Sequence, residues 1–198
     1  MTKIIGLTGG IGSGKTTIGG FFKVSGIQVY IADDAGKKVM QNEQVLKSIK
    51  ETFGPEVFKN DFLDRVELAK IVFNDPEKLQ KLNKIVHPAV KQDFEGWLQK
   101  NKKEPFVVYE AAILFESNKY EDCDIIISVE APLETRILRV LERDNTTREL
   151  VLKRINAQWT DVQRAAKSDF VIENINLGIA KKEVDKILKI LKIKQKEA

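Results

Sequence analysis

The chain reads as an α/β protein built on a five-stranded parallel sheet flanked by helices, and three observations lead there. The apolar run Lys3-Ile4-Ile5-Gly6-Leu7-Thr8 passes directly into the glycine-rich stretch Gly9-Gly10-Ile11-Gly12-Ser13-Gly14-Lys15-Thr16-Thr17. Four later short apolar runs, at 27–31, 106–109, 124–129 and 169–172, have strand composition. The run at 124–129 shows no polar alternation, which implies burial on both faces. Helical stretches separate the runs, and crossovers of this kind join parallel strands in the right-handed sense.

The first element fixes the chemistry. Gly9, Gly14, Lys15 and Thr16 satisfy G-x-x-x-x-G-K-[ST], the phosphate-binding loop. Such a loop needs glycines so that backbone N–H groups can ring a phosphate at the positive end of a helix. Gly12, Ser13, Gly14, Lys15, Thr16 and Thr17 would form the cradle of a nucleoside triphosphate, with Lys15 on the terminal phosphates and the Thr16 hydroxyl on Mg²⁺. A glycine-rich turn with a solvated lysine would not need a β-branched apolar strand before it and a helical stretch ending near Gly26 after it.

Composition narrows the class further. A chain of 198 residues with 42% hydrophobic content can fill the core of one nucleotide-binding domain carrying an insertion. Cys123 is the only cysteine, so no intramolecular disulfide forms and a small core residue is its expected role. No run approaches the length of a membrane span, and the first strand begins without a signal-peptide layout, so the expectation is a soluble cytoplasmic protein with no membrane partner. The net charge of +4 is spread along helical stretches without arginines interleaved with aromatics. That suits a site for anionic substrates better than nucleic acid.

The second strand, Ile27–Ile31, ends in Ala32-Asp33-Asp34. Ligands in open α/β sheets bind beyond the carboxyl ends of strands, so one of the two aspartates should act on a hydroxyl or a metal-bound water there; alone, the pair would read as a helix cap. Residues 35–104 change period and form a helical insertion between core segments 1–34 and 105–198. Within it, Gly54-Pro55 breaks a helix, Asp64-Arg65-Val66-Glu67 has capping-box spacing, and Asp75-Pro76 opens the next helix. His87-Pro88 is expected to divide two helices, and His87, the only histidine, reads by itself as an ordinary loop residue. The third strand ends at Glu110, where a second acid near the metal would stand. After the fourth strand, Pro132 opens a helix with Arg136, Arg139 and Arg143 on one face, and Thr146-Thr147-Arg148-Glu149 opens another. Residues 132–158 thus read as a helical lid closing on phosphate, with Arg143 the first choice for the contact. The competing reading is an exposed helix whose arginines pair with Glu134, Glu142 and Asp144. Val184, Ile187, Leu188 and Leu191 give the last helix an apolar stripe.

These motifs together resemble the dephospho-coenzyme A kinase family. Its G-L-T-G-G-I-G-S-G-K loop is matched from Gly6 to Lys15, and its D-A-D strand end by Ile31-Ala32-Asp33. Its leucine-arginine region and H-P pair are matched by Leu63-Asp64-Arg65 and His87-Pro88. Its D-I-P-L-L-F-E and R-D patterns are matched by Glu110–Glu116 and Arg143-Asp144, and its A-D-Y-V-I-x-N by Ser168–Asn174. The departures are Ile31 for the first acid of D-A-D, and Glu110 and Ala112 for Asp and Pro of D-I-P. The resemblance implies a P-loop kinase fold with a helical substrate-binding insertion and a helical lid. It implies transfer of the γ-phosphoryl of ATP, with Mg²⁺, to the ribose 3′-hydroxyl of dephospho-coenzyme A. It puts the base on Asp33, transition-state charge on Lys15 and Arg143, and the acceptor near Arg65 and His87.

Two other readings compete, beside a third, a nucleic-acid-binding ATPase, which predicts turnover stimulated by nucleic acid and steeply salt-dependent binding. One is a different P-loop nucleotide or metabolite kinase. The other is a GTPase-like switch, since Asp33-Asp34-Ala35-Gly36 fits D-x-x-G and Asn118-Lys119-Tyr120-Glu121 nearly fits N-K-x-D. Only sixteen residues lie between Thr16 and Asp33, too few for a helix and a switch loop before the strand.

Overall fold

The five apolar runs become the strands of one sheet. The structure, a computed structural model, describes residues 2–73 and 75–196. In chain order it runs β1 (Lys3–Thr8), α1 (Lys15–Val24), β2 (Gln28–Ile31), α2 (Ala32–Val39), α3 (Glu43–Phe53), β3 (Phe58–Lys59), β4 (Phe62–Leu63), α4 (Arg65–Phe73) and α5 (Pro76–Lys100). It continues with β5 (Phe106–Glu110), β6 (Ile125–Glu130), α6 (Leu133–Asp144), α7 (Arg148–Asn156), α8 (Asp161–Ala165), β7 (Phe170–Glu173) and α9 (Leu177–Lys196). The segments up to Ile31 and from Asn101 onward form one compact unit, and Ala32–Lys100 forms a second.

The sheet unit has strand order β2-β5-β1-β6-β7, all parallel. β1 is central, with Leu7 level with Glu110 on one side and Ile127 on the other, so the loop after β1 leaves from the middle of the carboxyl edge. Ile5, Leu7, Val108, Ile127 and Ile172 from the strands are buried with Ile18 and Phe22 of α1 and Val184, Ile187 and Leu191 of α9. Burying a side chain of this size fully is worth about 1.5–3 kcal/mol, which is what fixes α1 and α9 on the sheet. α1 ends in a Schellman motif, in which the Ile27 amide donates to Phe22 and that of Gly26, at φ 86°, donates to Lys23. Cys123 is half-buried, and desolvation pushes its thiol up to about 12, which suits an inert packing residue. Among the described residues no helix is long and apolar enough to cross a membrane.

The helical unit is built on Val45, Ile49, Phe53, Val57, Leu68 and Val72, with Leu79, Leu82, Ile85 and Ala89 of α5 packed against them. Asp64 accepts from the amides of Val66 and Glu67 to start α4, and Asp75 does the same for α5 with Glu77 and Lys78. Two sequence expectations fail in this unit. The segment is not purely helical, since β3 and β4 pair as a short antiparallel ribbon. Its turn is made by Asn60 and Asp61 at φ 51° and 63°, the left-handed pair a type I′ turn needs. His87-Pro88 does not divide two helices either, because α5 runs through it. Proline there removes an amide from the ladder, but the apolar residues on both sides of it pack on the same cluster and keep the helix whole.

Candidate active site

The glycines after β1 are required by their neighbours as well as by phosphate. An added Cβ on Gly9 would stand 2.3 Å from the Val129 carbonyl at the end of β6, one on Gly12 2.4 Å from the Arg136 carbonyl of α6, and one on Gly14 2.1 Å from Asn174 Nδ2 just after β7. Three elements therefore press on the loop, and only main chain fits between them. Gly14, at φ 89°, turns the chain into α1, which opens with Lys15 and Thr16. Lys15 is buried along the loop, with Nζ 2.9 Å from the Gly9 carbonyl. Thr16 and Thr17 are exposed on the open side, and Ser13 is buried.

Side chains from α6 and beyond brace this loop. Arg136 is buried; its Nε donates to the Ile11 carbonyl at 2.9 Å and its Nη1 to both Asp161 oxygens at 2.9 and 3.2 Å. Burial holds the Arg136 pKa below the ordinary guanidinium value, and Asp161 opposes that shift. Arg139 Nη1 donates to the carbonyls of Gly12 and Ser13 at 3.4 and 3.3 Å, and its Nη2 to that of Asn174 at 2.9 Å. The buried Asn174 amide donates to Ser13 at 2.8 Å, and Gln158 Oε1 accepts from the Ile11 amide at 2.8 Å. Arg143 lies farther along α6, two-thirds exposed and bonded to Asp144, which also takes Arg154. The hydrogen bond to Asp144 raises the Arg143 pKa above its usual value. Of the three arginines on this face, then, only Arg143 pairs with an acid on its own helix.

α6 and α7 pack on each other through Ile137, Val140 and Val151, with Ile11 of the loop and Leu152 and Ile155 against them. The α7 cap is Thr147, whose hydroxyl accepts from the Leu150 amide, one residue later than the expected box from Thr146 to Glu149. The reciprocal box occurs instead at Thr160 and Gln163, opening α8.

Glu110, buried at the end of β5, accepts from the Thr16 hydroxyl at 2.8 Å through Oε1. Two hard oxygen donors thus meet at the start of α1. No group of three or more His, Cys, Asp or Glu side chains among the described residues could hold a metal by itself. One hydroxyl and one carboxylate with substrate phosphates and water is the pattern Mg²⁺ prefers, so the donor set fits that ion.

In the helical unit, Asp33 and Asp34 fall in the first turn of α2, immediately after β2 ends. Asp34 pairs with Lys37 at 2.9 Å, and Asp33 is exposed. Arg65 begins α4 and donates to the Lys37 carbonyl at 2.6 Å, about one helical turn along α2 from Asp33. Lys38 bridges α2 to Asp93 of α5 at 3.0 Å. His87 lies on the exposed side of α5, and partial desolvation holds its pKa below the ordinary value. Asp33–Gly36 is helix rather than loop, which removes the switch-like D-x-x-G reading.

Sequence reasoning missed the roles of Asn174 and Gln158. The rule that singled out Asp33 and Glu110, a polar residue at the carboxyl end of a strand, would have found Asn174 after β7. Nothing local marks Gln158, which acts 147 residues away from Ile11.

A central parallel strand leading into a glycine loop and helix, an acid on the neighbouring strand, and arginines behind the loop define a P-loop kinase. A shikimate kinase from Acinetobacter baumannii shares this fold at TM-score 0.53 and 18% identity, covering 96% of this chain and 93% of its own. Residues 3–179 match the family described as dephospho-CoA kinase, and the chain belongs to that family. The dephospho-CoA kinase of Fusobacterium nucleatum is 41% identical over 86% of this chain and 89% of its own, and that of Listeria monocytogenes 40% identical over 88% and 89%. A solved structure from Thermus thermophilus superposes at TM-score 0.88 with 33% identity, covering 96% of this chain and 97% of the other.

Proposed function

We propose that the chain transfers the γ-phosphoryl group of ATP to the ribose 3′-hydroxyl of dephospho-coenzyme A, giving coenzyme A and ADP, the last step of coenzyme A synthesis. The observation that carries this reading is the braced loop with Lys15 and the Thr16–Glu110 pair at its mouth, in a chain of this family. The amides of Gly12–Thr17 bind the triphosphate, and Lys15 follows the charge as it moves to the leaving oxygen. Thr16 and Glu110 would hold Mg²⁺, which when bound neutralises charge on the β- and γ-phosphates. Asp33 orients or deprotonates the attacking hydroxyl, Arg143 closes on the transferring group from the α6–α7 lid, and Arg65 and His87 line the acceptor pocket of the helical insertion. Positioning and electrostatics carry such transfers, so these groups should matter as much as the base. The enzyme would work in the cytoplasm on a soluble substrate, without nucleic acid or membrane.

Steady-state ADP release with dephospho-coenzyme A, AMP and adenosine as acceptors tests the reading. Dephospho-coenzyme A should have the highest kcat/KM, and the truncated acceptors should lose kcat as well as affinity, because remote contacts position the reacting end. AMP as an equal or better acceptor would make the chain a nucleotide kinase and overturn the proposal.

A further inference from the structure

Two neighbouring glycines lie inside α1, and their surroundings differ. A methyl group on Gly20 would meet nothing within 4 Å, whereas one on Gly19 would lie 2.8 Å from Glu110 Oε2. That is well inside the separation at which non-bonded heavy atoms attract. Gly19 is in ordinary helix, so its backbone does not call for glycine, and a glycine inside a helix weakens it. Leu7 and Val29 would stand 3.7 Å from the added methyl, a normal packing distance. Of the nearest atoms, the Glu110 carboxylate alone is too close. Glu110 is also the longer acid at a position where the family pattern has Asp.

We propose that Gly19 is a positioning residue for phosphoryl transfer. The space left by its missing side chain seats the longer Glu110 carboxylate, with Oε2 toward Gly19 and Oε1 on the Thr16 hydroxyl. The length of the acid is thus matched to the absence of a side chain at residue 19. The inference rests on the reading above, in which Thr16 and Glu110 hold magnesium. Because the clash in Gly19→Ala falls on the far end of a side chain, the carboxylate yields, not the sheet.

Four variants test this: Gly19→Ala, Gly20→Ala, Glu110→Asp and the Gly19→Ala/Glu110→Asp double. The readouts are thermal melting, calorimetric ATP binding across a MgCl₂ series, and ADP release with dephospho-coenzyme A. Gly20→Ala should keep the wild-type Mg²⁺ response. Gly19→Ala should need about tenfold more Mg²⁺ for half-maximal ATP binding and turn over about tenfold more slowly, as expected for a supporting group behind a metal ligand. The double variant should recover most of both losses, since the shorter acid clears the methyl. A Gly19→Ala protein that behaves like Gly20→Ala, or a double variant no better than Gly19→Ala, overturns the proposal. If Gly19→Ala does not fold, the double variant alone decides it: a near wild-type Mg²⁺ response supports the matching, and a tenfold weaker one sinks it. Wild-type protein that binds MgATP yet leaves dephospho-coenzyme A unphosphorylated would break the functional reading, while the ATP-binding series still judges Gly19.

Discussion

The two compact units hold their candidate residues in different ways. In the sheet unit, Lys15 is 9% exposed against the Gly9 carbonyl, Thr16 is held by Glu110, and the loop is fastened by Arg136 and Arg139 of α6, by Gln158 between α7 and α8, and by Asn174 just after β7. In the helical unit, Asp33 and His87 are exposed, and Arg65 donates to a backbone carbonyl of α2. A phosphate cradle must be stiff, because catalysis depends on donors fixed where charge develops. Acceptor contacts tolerate exposed side chains on helices, since binding can order them and the energy of remote contacts supplies the cost. Substitutions in the side chains that brace the loop should therefore act on loop geometry and stability together, and acceptor-side ones on turnover alone.

The largest expected effect separates two neighbouring carboxylates. Asp33→Asn should lower kcat by about 10²-fold or more with little change in the KM for ATP, in the range general acid–base groups supply. Asp34→Asn, which removes an exposed pair with Lys37, should stay within a few-fold of wild type. Steady-state kinetics on both proteins decides it. A larger loss in Asp34→Asn would move the base by one residue.

The same contrast governs what the sequence made legible. Strands buried on both faces and a loop whose glycines are sterically forced leave a local signature, so β1, β5, β6 and the cradle could be read from residue types alone. Bonds that close over long sequence separations leave none. The amide of Ile11 finds Gln158, and Arg139 finds the carbonyl of Asn174, through the topology of the sheet. In the helical unit the errors have a different cause. The β3–β4 ribbon has two residues in each strand, too few for periodicity, and α5 survives Pro88 because tertiary packing outweighs the local penalty.

Bracing and closing separate on one helix, α6, where Arg139 holds the loop and Arg143 does not. Arg139→Ala removes donors from the Gly12, Ser13 and Asn174 carbonyls, and hydrogen bonds to charged groups contribute about 1.5–3 kcal/mol. The melting temperature should fall by several degrees and the KM for ATP should rise. Arg143→Ala breaks an exposed pair with Asp144 and should leave the melt within about 1 °C, yet lower kcat by about tenfold or more if its guanidinium reaches the transferring phosphate. Should Arg143→Ala leave kcat untouched while Arg139→Ala lowers it at saturating ATP, the phosphate contact belongs to Arg139.

The smallest effect is the most direct probe of the helical unit as a framework. Proline inside a helix costs about 3 kcal/mol against alanine in an unsupported context, from a lost hydrogen bond and a ring that crowds the preceding turn. At Pro88 much of that cost is already absorbed, because α5 is continuous and the ring itself lines a shallow cleft with Val45, Ile85 and Ala89. Pro88→Ala should restore an amide for the Lys84 carbonyl while giving up the ring's contacts, a net gain of about 1 kcal/mol, or about 2–4 °C in melting temperature for a chain of this size. Turnover should not change, since α5 already runs unbroken through His87 and Pro88. Parallel melts and ADP-release assays on the variant and the wild type read both quantities. A destabilised Pro88→Ala protein would mean that the ring's packing in the cleft outweighs the missing hydrogen bond. A stabilised one with reduced turnover would mean that the helical unit must bend at Pro88 during the reaction, and that its framework is part of the catalytic machinery.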